Sequence, residues 1–221
     1  MKPYYDRDGQ TIYLGDCREV LPTLKTWRVD LVLTDPPYGI NHASSHGASW
    51  EDTIIAGDSD TTVRDEILEM VLDLPCAVFG TWKTQPIANA RGCLVWDKGP
   101  AFGMGDLSFP WKQSWELIYI RGNRWIGSRD EGVLRGPCVV SWESKGRCHP
   151  HQKPAWIITR LMNKQPTAET ILDPFMGSGT TLRATKNSGR RGIGIEIDER
   201  YCEIAAKRLE QGVLNFEAVE S

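Results

Sequence analysis

Apolar residues fall along this chain in short runs at positions 11–14, 29–34, 76–79, 93–96, 117–120, 138–142, 170–172 and 192–197. Runs this short, without strict alternation, are the pattern of strands covered on both faces. Between some of them the apolar positions take a helical spacing, at 61–74, 84–91, 154–163, 178–187 and 199–212. Strands alternating with helices predict a doubly wound α/β fold with a mostly parallel sheet. The stretch 98–148 breaks the rhythm. It is rich in Gly, Pro, Trp and Arg and poor in helical signals, so part of it is expected outside the regular sheet, where loops on a rigid scaffold carry recognition.

The length of 221 residues suits one domain, 1–221, with an insertion within about 98–148. A composition 40% hydrophobic and 25% charged is that of a globular protein, and no apolar run is long enough to span a bilayer. Residues 1–10 are polar and lack the apolar stretch of a signal peptide, so a cytoplasmic protein without a membrane partner is expected. The six cysteines, 17, 76, 93, 138, 148 and 202, show no C-x-x-C spacing. They are read mostly as small buried thiols, and no metal is expected, Cys148-His149-Pro150-His151 included. Nine tryptophans are many for this length, and core packing is expected for most of them. Net charge is −3, yet from 121 to 153 seven basic residues (121, 124, 129, 135, 145, 147, 153) face three acidic ones. Charge alone makes that a solvated surface; on a nucleic-acid enzyme it becomes a phosphate-binding face, with Arg124, Arg129 and Arg135 as its candidates.

Two motifs carry chemistry. The segment Leu172-Asp173-Pro174-Phe175-Met176-Gly177-Ser178-Gly179-Thr180-Thr181 follows a predicted strand and opens a predicted helix. Its glycines let the backbone approach a ligand at the positive end of a helix, but the Lys of a phosphate loop is missing. Glu196 ends the next strand, 19 residues past Gly177, as an acidic residue does when it grips a ribose. The turn alone is a tight connection; with Glu196 it favours a nucleoside ligand. The second motif, Thr34-Asp35-Pro36-Pro37-Tyr38-Gly39, directly follows an apolar strand. Two prolines fix the backbone and leave carbonyls free to accept hydrogen bonds. Asp35 adds a carboxylate and Tyr38 an aromatic face, a combination suited to an NH₂ group on a planar base.

The two motifs together resemble the N6-adenine/N4-cytosine DNA methyltransferase family. His149-Pro150-His151-Gln152-Lys153-Pro154 is similar to its His-Pro-x-Gln-Lys-Pro motif, Gly194 to Tyr201 to its strand-end acidic motif, and Leu14-Gly15-Asp16-Cys17 to its short Gly-Asp element. The order, with the Asp-Pro-Pro-Tyr motif first, resembles the family's beta group, a circular permutation of the common methyltransferase order. The resemblance implies a Rossmann-like class I fold in which Asp35 and Asp173 end adjacent strands. It implies S-adenosylmethionine as cofactor, with S-adenosylhomocysteine as product and no metal. Double-stranded DNA is the implied partner and a bacterium or phage the implied source. It implies that Phe175, Gly177 and Gly179 shape the cofactor pocket, with Pro174, Ser178 and Thr180 in the same turn. Asp173 then supports the methionine end or orders the turn, Glu196 binds the ribose, Asp16 contacts the adenine and Lys153 positions the cofactor or the loop. Asp35 and the Pro36 carbonyl would accept the target amino group, and Tyr38 would stack on a flipped base. Asp rather than Ser before Pro36 favours N6 of adenine. N4-cytosine methylation, an RNA substrate and an inactive binding fold stay open, as do homodimerisation and a companion restriction endonuclease. Gly136-Pro137-Cys138-Val139 superficially resembles the Pro-Cys nucleophile of C5-cytosine enzymes, but lacks the following Gln and stands before the cofactor motif. Cys138 is expected to be a buried strand residue.

Overall fold

The computed structural model describes residues 1–24, 28–40, 59–100, 107–138 and 152–211. Their nine strands are β1 (Tyr5–Arg7), β2 (Gln10–Leu14), β3 (Leu31–Thr34), β4 (Cys76–Gly80), β5 (Ala90–Asp97), β6 (Trp115–Arg121), β7 (Val133–Arg135), β8 (Thr170–Asp173) and β9 (Arg191–Glu196). The helices are α1 (Cys17–Val20), α2 (Thr62–Met70), α3 (Ala155–Met162), α4 (Thr180–Asn187) and α5 (Glu199–Glu210). One sheet runs β1-β2-β9-β8-β3-β4-β6-β5-β7. Its centre, β2-β9-β8-β3-β4, is parallel, while β1 and β6 are antiparallel to their neighbours. The expected α/β architecture with a mostly parallel sheet is borne out.

Side-chain alternation along the strands splits the core in two. Val32, Cys76, Val78, Leu172, Ile193 and Ile195 pack with Val20, Ile67 and Leu68 of α1 and α2. Leu31, Leu33, Ala77, Phe79 and Ile171 turn to the other face and meet Ile157, Leu161 and Met162 of α3. Farther along, Ile12 and Leu182 pack against Cys202, Ala205 and Leu209 of α5. The helices thus cover both faces, which is why the central strands read as unbroken apolar runs. Local signals agree: Asp198 caps α5 by accepting from the Arg200 amide at 2.8 Å, and Lys207 and Arg208 lie in its last turn.

Two expectations are corrected. Residues 84–91 form no helix; Ala90 already begins β5. Pro86 lacks the amide a helix needs and biases Gln85 towards extended backbone, and Asn89 turns the chain with φ +59. Within 98–148, β6 lies in the sheet where the run 117–120 predicts a strand, and β7 lies in it as well. Cys138 is half-buried beyond the end of β7 rather than within a strand, and the rest of the predicted strand 138–142 lies outside the described residues. Cys17, Cys76 and Cys202 are buried as expected, but Cys93 is exposed. Cys148, His149 and His151 also lie outside the described residues.

Candidate active site

The site lies along one edge of the sheet. Parallel β2, β9, β8, β3 and β4 all end there, carrying Asp16, Glu196, Asp173, Asp35 and Thr81 at or just past their last residues. The chain leaves β3 towards β4 on one side and β8 towards β9 on the other. The gap between β3 and β8 is therefore the switch point of the sheet, where ligands of such folds bind. Positions 35 and 173, far apart in sequence, flank it.

At the end of β8, buried Asp173 accepts a hydrogen bond from Thr34 Oγ1 of β3 at 2.7 Å and from the Phe175 amide at 3.2 Å. The carboxylate thereby fastens the turn to the neighbouring strand. Burial pushes its pKa up to about 6, against the pull of Thr181, Thr34 and the Phe175 amide, with a further push from Asp35. Pro174, Ser178 and Thr180 are buried in the turn, and Phe175 packs on the α1–α2 side of the core. Gly177 has φ +53, and a Cβ there would meet open space. Gly179 has φ +78 and its Cβ would lie 2.7 Å from that of Ala205, so only glycine lets α4 start this close to α5.

Glu196 closes the turn from β9. Its Oε2 accepts from the Gly177 amide at 2.8 Å and its Oε1 from the Asp198 amide at 2.9 Å. Burial raises its pKa, and these amides moderate the rise. Leu14 pairs with Glu196 across β2 and β9, which brings Asp16, two residues on, to the same edge of the sheet. Asp16 caps α1 and holds Arg18 at 2.6 Å.

On the other side of the switch point, the buried Pro36 follows Asp35. Asp35 Oδ1 accepts from Tyr38 Oη at 2.7 Å, and Oδ2 takes Lys153 Nζ at 2.6 Å. Lys153 also stands 3.3 Å from Tyr38 Oη and packs over the Tyr38 and Phe79 rings. It thus stands at the Asp-Pro-Pro-Tyr motif. Its side chain is 9% exposed and that of Asp35 26%. Burial raises the Asp35 pKa despite Lys153. For Lys153 the balance is reversed: burial lowers its pKa, but Asp35 and Glu116 overcome this and raise it.

Glu116, at the start of β6, joins this group, and sequence reasoning missed it. It binds Lys98 and lies 3.2 Å from Lys153 Nζ. A lone acid at the head of the apolar run Trp-Glu-Leu-Ile-Tyr-Ile was the available signal. The expected basic face also changes. Arg121 is buried and donates to the Leu68 and Val71 carbonyls at the end of α2, and Lys153 is buried in the site; Lys145 and Arg147 lie outside the described residues. Arg124, Arg129 and Arg135 are exposed but do not share one edge. Arg135 pairs in register with Asp97 at the site edge. Arg124 follows the end of β6 at the opposite edge, and Ser128 and Asp130 around Arg129 contact Lys164 beyond the far end of α3. Of the tryptophans, Trp96 is buried between Phe79 and Trp156, whereas Trp82 and Trp111 are exposed near the site edge.

The DNA methylase model of the N6/N4 family matches residues 108–207, from the approach to β6 into α5. The type II methyltransferase M2.DpnII of Streptococcus pneumoniae is 41% identical over 249 residues, covering 95% of this chain and 92% of that protein. The chain belongs to the N6/N4 DNA methylase family. M.ScaI of Streptomyces caespitosus, another type II methyltransferase, is 27% identical and spans 95% of the chain and 84% of its own length. Two solved structures share the fold of this family member. The M1.HpyAVI–SAM complex superposes with a TM-score of 0.65 at 22% identity, over 91% of this chain and 100% of that one. The cytosine-N4-specific PvuII DNA methyltransferase superposes at 0.67 and 16% identity, over 96% and 90%. The fold is therefore the class I methyltransferase fold, as expected.

Proposed function

We propose that this protein methylates DNA, moving the methyl group of S-adenosylmethionine to N6 of an adenine flipped out of the duplex. The observation that carries this reading is the Thr34–Asp173 hydrogen bond: it locks the Asp-Pro-Pro-Tyr motif and the glycine turn side by side at the switch point. The turn suits a cationic nucleoside. It offers open space over Gly177, and Asp173 and Glu196 are carboxylates whose ionised forms are held at a cost that a sulfonium or ammonium would relieve. Phe175, Gly177 and Glu196 would hold it, with Asp16 at the same edge of the sheet. When bound, the cofactor supplies an electrophilic methyl group, whose bond to sulfur breaks with both electrons staying on sulfur as nitrogen takes the carbon.

The residues of the chain do the rest. Asp35 and the Pro36 carbonyl accept the two amino hydrogens, which turns the nitrogen lone pair towards the methyl carbon. Their negative character favours the positive charge that develops on nitrogen, and the proton that nitrogen sheds is held at Asp35. Tyr38 gives the base a stacking face. The base has to leave the stack because its amino group cannot reach Asp35 inside a duplex. Asp in place of Ser before Pro36 supports adenine over cytosine.

Incubating purified protein with unmethylated DNA and cofactor, then analysing the nucleosides by mass spectrometry, tests this. N6-methyladenine is expected. N4-methylcytosine alone would overturn the choice of base, and no methylated nucleoside would overturn the activity.

A further inference from the structure

The Asp35–Lys153 pair belongs to a larger group. Glu116 stands opposite Trp96 in the β5–β6 ladder and reaches the site from the segment between the two motifs. One of its oxygens binds Lys98; the other, Oε2, lies 3.2 Å from Lys153 Nζ. The side chains of Lys98, Lys153 and Glu116 are only 7%, 9% and 18% exposed. Two ammonium groups thus face two carboxylates where an unpaired charge is costly.

Lys153 sits between two acceptors of unequal use. Asp35 Oδ2 holds it at 2.6 Å, and Oδ1 is taken by Tyr38. Glu116 Oε2 is buried and accepts no well-aligned hydrogen bond among the described residues. An amino group arriving at Asp35 competes with Tyr38 and Lys153 for the lone pairs of the carboxylate. Sending Lys153 away from both carboxylates would strand a buried cation; moving it towards Glu116 keeps it paired.

We propose that Glu116 is a positioning residue for methyl transfer: it provides the second berth onto which Lys153 withdraws when the target amino group takes its place on Asp35. This rests on the function proposed above. Two consequences follow from charge. Without the Glu116 carboxylate, Lys153 is left to Asp35 alone, so the amino group competes with a tighter pair. The negative potential at Asp35 also falls, so Asp35 ionises at lower pH. Removing the Lys153 ammonium acts the other way on Asp35. The remaining charged or titratable neighbours, Lys98 after β5, Tyr38 in the same loop and Asp173 at the end of β8, are the same in both cases.

The test uses the full chain with carboxyl-¹³C aspartate, the Asp35 signal being assigned by its loss in Asp35→Asn. The Asp35 midpoint should fall in Glu116→Gln and rise in Lys153→Met, each by on the order of one pH unit. Single-turnover methyl transfer to bulk unmethylated DNA should slow at least about tenfold in Glu116→Gln, with cofactor affinity unchanged. If Glu116→Gln does not fold, the Lys98→Met/Glu116→Gln variant removes an opposite pair, keeps the net charge and should show the same slowing. A parent protein that transfers no methyl group to DNA overturns the function itself. An active parent whose Glu116 variants keep its rate, or whose Asp35 midpoint does not move in Glu116→Gln, overturns the berth alone.

Discussion

Asp173 is the residue whose environment contradicts its chemistry most. It is a carboxylate buried beneath the turn, fastened to Thr34 and the Phe175 amide, with a pKa near 6 against an ordinary 3.8. A group whose pKa is raised by folding contributes stability that is fully present below its unfolded pKa. That contribution is lost as pH rises through the folded value. Between about pH 4 and 6 the ligand-free protein should therefore lose up to about 3 kcal/mol from this residue alone. Urea melts at several pH values should show the parent falling relative to Asp173→Asn across that window; parallel curves would show that Asp173 is not held in this way. Its position after an apolar strand was legible in the sequence. Its bond to Thr34 was not, because the two lie 139 residues apart and only the sheet order makes them neighbours.

The glycine turn is the element on which cofactor binding depends. Gly177→Val places a branched side chain at φ +53, over the open space in which the cofactor would lie. Glu196→Ala removes the acceptor that holds the Gly177 amide. Calorimetry should show both variants folded and each binding S-adenosylmethionine at least about tenfold more weakly, one charge-assisted contact being worth roughly that much. Unchanged affinity in both would place the cofactor elsewhere. Gly179→Ala acts differently, on the packing of α4 against α5: its left-handed φ and the 2.7 Å approach to Ala205 should lower stability by at least about 1 kcal/mol in thermal or urea unfolding. The long elements of this half were legible because both sheet faces are covered and each helix has one apolar side. β1, β7 and α1 have only three or four residues, too few for a period to show, and unlike the equally short β3 and β8 they are not apolar runs buried throughout. The segment 84–91 has helical spacing, but Pro86 and the partner strand β6 decide it.

On the scale of the molecule, one site is assembled from stretches far apart in the chain, and DNA would approach the edge where they meet. Arg135 stands at that edge and Arg124 and Arg129 do not. Arg135→Ala should weaken duplex binding and reduce its salt slope by about one phosphate contact, whereas Arg124→Ala and Arg129→Ala should do neither. Equal effects from all three would mean that DNA wraps both edges. The sequence could rank these arginines only by number, since charge counts carry no information about which end of a strand a loop leaves. It likewise missed Glu116 and left Lys153 between the cofactor and the loop, because ion pairs across a sheet depend on strand order. The proposed methyl transfer needs Asp35 as the acceptor for a base amino group beside a separately held cofactor. Single-turnover methyl transfer by Asp35→Ala, measured alongside its cofactor affinity, tests this most directly. Transfer should fall by roughly two to three orders of magnitude with cofactor affinity retained; near-normal transfer would contradict that role.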